Sequence, residues 1–287
     1  MASVLPPAPP PVVPAPVPAP PPATSAPPVV AEVTPPSLPA IEPIPPLPEP
    51  VPRVAEAPRP AASAAIEAFD WPPSTRLSYS LNGFFRGPLE GGHAQVEWLR
   101  AGSRYQVRME STFGPMFSRS ANSEGELTSR GLVPSRFEGE QKQVFRKAKR
   151  WTQEFSRDRV VFSEGNETDA LPGIQDEASQ FVQLTWLFTT QPSLLQVGRS
   201  VEMPLAMNRR ADRWIYDVKD EETLHLPFGA VPTFHVKPRR EAKGGDMVVE
   251  IWFAPTLQYL PVRMLVRQGD ANYMELTLTK PPLQAAK

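Results

Sequence analysis

The sequence contains no cysteine, and that one absence excludes disulfide bonds, thiolate zinc sites and cysteine nucleophiles. It has no run of about 18–20 apolar residues, so no segment reads as a membrane-spanning helix. Met1 is followed by prolines where a signal peptide would place a basic and then an apolar region. Charge imbalance is also missing, with 30 Lys and Arg against 31 Asp and Glu. Removing the four Glu and two Arg of residues 1–60 from the net −1 leaves about +1 for the remainder, which supplies no strong field for nucleic acid or an anionic membrane. Aromatic residues are absent from residues 1–60, where 24 of the 39 prolines fall, so that stretch cannot build a core.

What is present divides the chain in two. Residues 1–68 are a proline-rich spacer, and its first 60 or so residues favour polyproline II, which rises about 3.1 Å per residue and gives that arm a reach of roughly 190 Å. Its PxxP patterns arise from composition alone, so a spacer outweighs a specific aromatic-groove ligand. Residues 69–287, opening at Phe69-Asp70-Trp71, form the globular domain. A proline arm ahead of a β-rich domain is a common way to hold a domain away from a membrane. The expectation is therefore a periplasmic location with an inner-membrane anchor encoded upstream of Met1, which a stop codon in the upstream reading frame would refute.

From Arg76 the hydrophobic period is two. Leu77, Tyr79 and Leu81 alternate with polar residues, and Gly, Asn and Asp punctuate the gaps through to Leu278. One stretch, residues 171–198, departs from this. Ile174, Ala178, Phe181, Val182, Thr185 and Phe188 keep helical spacing, Asp176 stands where an N-cap carboxylate accepts the free N–H groups of a first turn, and Pro192 stops the helix. Roughly a dozen short strands exceed what a flat open sheet carries. The predicted fold is mainly β: a strongly curved antiparallel sheet or partial barrel with one long helix packed on its concave side. Two packed sheets are the alternative.

Motifs for chemistry are sparse. His93, His225 and His235 lie far apart in sequence, so no metal site or cofactor is predicted. There is no Gly-x-Ser-x-Gly elbow, Walker loop or GxGxxG, which leaves serine hydrolysis and nucleotide binding without support. Glu124 with Glu126, and Glu138 with Glu140, are i, i+2 pairs and read as solvated strand faces. The Arg146-Lys-Ala-Lys-Arg150 run reads as a solvated hairpin tip because no aromatic residue interleaves its charges. Asp176 is the sharpest single residue. The dipole and free N–H groups favour a capping role over a catalytic one, and Asp176→Ala is predicted to cost about 1 kcal/mol.

Three blocks together resemble the bacterial family known as domain of unknown function 3108. They are Ser123-Glu-Gly-Glu-Leu127 with Gly131-Leu-Val-Pro134 and Phe137, then Leu171-Pro-Gly-Ile-Gln-Asp176 with Ser179, then Ile251-Trp-Phe-Ala-Pro255 with Leu260-Pro-Val-Arg263. The resemblance covers about residues 75–280. It implies an exported, mostly β envelope protein and supplies no catalytic residue. The expected outline is similar to the lipoprotein carriers LolA and LolB. The leading expectation is a non-enzymatic periplasmic domain, structural or binding, with envelope proteins or lipid as partners and no nucleic acid. Its alternative is a carrier of lipid or another apolar ligand, with Trp98, Tyr105, Phe181 and Trp252 lining a cavity between sheet and helix. An enclosed apolar cavity of about 300 Å³ or more would favour the carrier.

Overall fold

Alternation of period two places every second side chain of a strand on one face, and here it produces a long antiparallel meander. The computed structural model describes residues 71–85, 87–207, 209–240, 247–269 and 271–285, so the proline-rich spacer, residues 1–68, lies outside the described residues. The strands are β1 (Thr75–Phe84), β2 (Pro88–Ala101), β3 (Arg104–Phe113), β4 (Phe117–Thr128), β5 (Gly131–Gln143), β6 (Lys149–Phe155), β7 (Arg159–Phe162) and β8 (Glu167–Asp169). After α1 (Ser179–Thr190), the one α-helix among the described residues, come β9 (Ser200–Met207), β10 (Arg210–Leu226), β11 (Gly229–Pro238), β12 (Met247–Ala254), β13 (Leu260–Gln268), β14 (Asn272–Leu278) and β15 (Leu283–Gln284).

All fifteen strands belong to one sheet in the order β8-β7-β6-β5-β4-β3-β2-β1-β14-β13-β12-β11-β10-β9, with β15 beside β1. Two meanders thus run outward from the β1–β14 pair, whose register sets Leu81 against Leu276 and Phe84 against Tyr273. The sheet is antiparallel and not closed. Its ends nevertheless meet: β8 lies against β10, and Gln175 forms a parallel bridge to Leu205 at the edge of β9.

The strand count exceeds the predicted dozen, and one pair of predicted strands is a single element. The stretches 214–218 and 223–226, which alternation alone reads as two short strands, are both parts of β10, because a bulge between Val218 and Asp220 lets the strand bend and continue pairing with β11. The helix is also shorter at its start than the apolar stripe suggests. Ile174 lies outside the helix and Gln175 is extended, since Gln175 N–H donates to Pro204 O (2.9 Å) and Ala206 N–H donates to Gln175 O (2.8 Å).

Helical spacing gives α1 two apolar faces. Phe181, Leu184 and Phe188 enter the main core, where the Phe188 ring meets Phe253 edge-on at 5.0 Å. Ala178, Val182 and Trp186 face a second core around Trp71, Trp98, Tyr105, Leu132, Phe137 and Trp151. Burying each large side chain is worth about 1.5–3 kcal/mol before entropy, so α1 wedges the two cores together. Three of its buried polar side chains are paired as well. Gln183 accepts from Leu132 N–H (2.8 Å), Gln180 accepts from Tyr216 O–H (2.8 Å), and Thr185 donates to Tyr259 O (3.0 Å).

Candidate functional site

Chemistry gathers at the start of α1. Asp176 is fully buried, and its Oδ1 accepts the backbone N–H groups of Ala178 and Ser179, both at 2.8 Å. Ser179 Oγ accepts the Asp176 N–H in return at 2.9 Å, a reciprocal arrangement that satisfies the free donors of the first turn. Its other oxygen takes the Ser123 hydroxyl at 2.6 Å, and Ser123 Oγ lies 3.3 Å from the Tyr105 hydroxyl. Burial raises the Asp176 carboxyl to about 6, while the bonds from Ser123, Ser179 and Ala178 oppose that rise. The Tyr105 hydroxyl is pushed well up by burial and by the Asp176 charge.

Beside this cap, Glu177 holds Arg119 at 2.6 Å and accepts Trp151 Nε1–H at 3.1 Å, with the Arg119 guanidinium 4.7 Å above the Trp151 ring. Gly139 sits opposite Trp151 on β5, where any Cβ would overlap the indole. Arg119, Glu177 and Gln180 form the polar margin of an apolar cavity of about 110 Å³ that is partly open. Met109, Met207, Met247, Met264 and Met274, five of the eight methionines in the chain, line it together with Phe181. Unbranched thioether side chains repack at low cost, so such a wall is adaptable.

The four residues expected to line one cavity occupy three places. Phe181 lines the methionine cavity. Trp98 and Tyr105 stack on each other at 5.8 Å in the second core, with Trp71 5.7 Å beyond Trp98. Trp252 alternates with Ile251 and faces the other side of β12. There it stacks on His235 at 4.2 Å under the Arg263 guanidinium and donates to Glu222. His235 in turn lies 3.0 Å from Glu250, which also meets Lys237 and Arg267, each at 3.2 Å. The His235 bond, ahead of the two cations, holds the Glu250 carboxyl down at about 2. Sequence spacing could not reveal this cluster, because antiparallel pairing assembled it from residues of β10, β11, β12 and β13.

The three sequence blocks meet around α1. Ser123 of the first reaches Asp176 of the second, and Gln175 Nε2 donates to Leu132 O at 3.0 Å. Phe253 of the third packs on Phe188. The fold and site define a single-helix, open-sheet β domain whose helix start is locked by a buried carboxylate beside an apolar recess. The chain belongs to the family described as "Protein of unknown function (DUF3108)", which matches residues 77–277. No curated protein and no solved structure matches it, so the likeness to LolA and LolB rests on the expected outline alone.

Proposed function

We infer that the chain is a non-enzymatic binding domain of the bacterial envelope, on the periplasmic side, that accepts an apolar group such as the end of an acyl chain. The methionine-lined cavity between α1 and the sheet carries this reading. Its volume is below the roughly 300 Å³ of common small-molecule sites, which suits part of a chain and not a whole lipid. Five mobile thioethers let the wall open further on entry. The non-enzymatic part is supported by Asp176, the carboxylate most displaced toward neutral pH, which is used up in capping α1 and lies outside the cavity lining. No helix among the described residues is long and apolar enough to cross a membrane. The proline-rich composition of residues 1–68 suits a spacer that carries the domain.

Purifying the full chain from its own envelope and extracting it for mass spectrometry tests the reading. Lipid or another acyl species is expected in the native protein and is expected to fall several-fold in Met274→Trp, which fills the recess. Equal recovery from both proteins, or none from either, would leave the second reading: a purely structural role, favoured by the small cavity volume.

A further inference from the structure

The hairpin register brings several turns to one end of the sheet. Phe84 pairs with both Pro88 and Tyr273, Phe113 pairs with Phe117, and Phe117 pairs with Gln143. The β1–β2, β3–β4, β5–β6 and β13–β14 turns therefore share a rim about 34 Å long, counted over eight neighbouring strands at about 4.8 Å per spacing. Large apolar side chains stand out along it: Phe84 is 39% exposed, Tyr273 40% and Met116 62%, while Phe145 is fully exposed. Phe145 also adopts φ +60°, a conformation unfavourable for a bulky residue, so this turn holds an aromatic side chain in water at a backbone cost. The Val144 N–H bond to Met116 O (3.1 Å) ties the β3–β4 and β5–β6 turns together.

The cations lie on the same rim. Residues 140–150 of the β5–β6 hairpin carry Lys142, Arg146, Lys147, Lys149 and Arg150 against the single carboxylate Glu140. Glu140 is taken by Lys142 and Arg150, each at 2.6 Å, whereas Arg146 and Lys147 are exposed and have no ion-pair partner among the described residues. Glu90 on β2 is an exposed acid of the neighbouring hairpin at this end. The basic run read from sequence as bare of aromatic neighbours thus stands beside Phe145 and Met116. The apolar recess lies beneath the same rim, since Met207 ends β9, Met247 begins β12 and Met274 is near the start of β14.

We propose that this rim is a docking surface for an anionic phospholipid bilayer, with Phe145, Met116, Phe84 and Tyr273 entering the headgroup region while Arg146 and Lys147 meet lipid phosphates. Exposed apolar tips supply the insertion and unpaired cations the attraction, the two contributions that govern interfacial binding. The proposal stands on the turns and not on the cavity, so it can fail while the apolar-ligand reading holds.

The test is flotation of the full chain, stripped of bound lipid, with vesicles of phosphatidylethanolamine and phosphatidylglycerol and, separately, of phosphatidylcholine alone. Binding is expected to the anionic vesicles, weakened by molar salt through screening. Arg146→Gln with Lys147→Gln should lower affinity about five-fold per charge removed. Phe145→Ser with Met116→Ser should abolish flotation while thermal melting stays unchanged. Absence of wild-type flotation, equal binding to phosphatidylcholine, or full binding by the Phe145/Met116 variant would each overturn the proposal. Co-purified lipid reports separately on the recess.

Discussion

At the scale of single residues, Asp176 sets a measurable pH dependence. Its carboxyl is raised by burial from 3.8 to about 6. The protonated form is therefore favoured in the fold, and the stability this contributes is fully present below about pH 4 and lost as pH rises through about 6. The shift corresponds to about 3 kcal/mol across that window. Asp176→Asn keeps an acceptor for the Ala178 and Ser179 N–H groups and cannot ionise. Its stability relative to wild type should rise by about 3 kcal/mol between pH 4 and pH 7 in urea titrations, and parallel pH profiles would refute the argument. Asp176→Ala orphans buried donors in addition to losing the cap, so about 2–3 kcal/mol is expected, above the 1 kcal/mol predicted for an exposed cap. Gln153 gives the opposite case. It is fully buried between Phe137 and Phe162, and neither amide atom has a hydrogen-bond partner among the described residues. Gln153→Leu, similar in volume, should raise stability by about 1 kcal/mol in thermal melts. Position 176 was legible because capping is local in sequence. Its partner Ser123, 53 residues away, was not.

At the scale of elements, the strands were legible wherever alternation was clean, as in Leu77, Tyr79 and Leu81 of β1, all buried. Reading was less secure where tertiary pairing overrode local pattern. Ile174 keeps the helical period yet lies outside α1, because the backbone of Gln175 is claimed by β9. Between Val218 and Asp220 the pairing register shifts, and this bulge carries β10 onward through a stretch that alternation alone would divide in two. Trp252 reads as one more inward aromatic on a mostly apolar strand, and only the β11 register reveals its stack on His235. Glycine 139 shows how one element shapes another. The Trp151 ring covers it, and the same ring holds Glu177 at the head of α1. Gly139→Ala should push the indole away, cost about 1–3 kcal/mol as overpacking does, and loosen the Arg119–Glu177 pair. Near-ultraviolet circular dichroism should report the displaced tryptophan, and an unchanged spectrum with unchanged melting would sink this account.

At the scale of the whole molecule, an open sheet has two edges to protect, and here they are brought together by side chains and one short extended segment. Val160 and Phe162 of β7, Ile174, and Ala206 of β9 form a third apolar cluster, packed against Ala211 of β10. Above it, Arg209 pairs with Glu164 across the same seam. Gln175 is the common member: its backbone bonds to β9 and its side chain to Leu132 O on β5. Nothing in the sequence marks it, since an extended glutamine before a helix resembles any polar linker. If this residue fastens the seam, Gln175→Ala leaves the Leu132 carbonyl buried without that donor and should cost about 1–3 kcal/mol. The loss should also be uneven. Amides along the seam, Ala206 and those of β7 above all, should exchange with deuterium faster by several-fold, while those of β1 to β3 follow global unfolding alone, as local opening predicts. Uniform acceleration through every strand would mean that the sheet behaves as one continuous unit and that Gln175 contributes only its share of general stability.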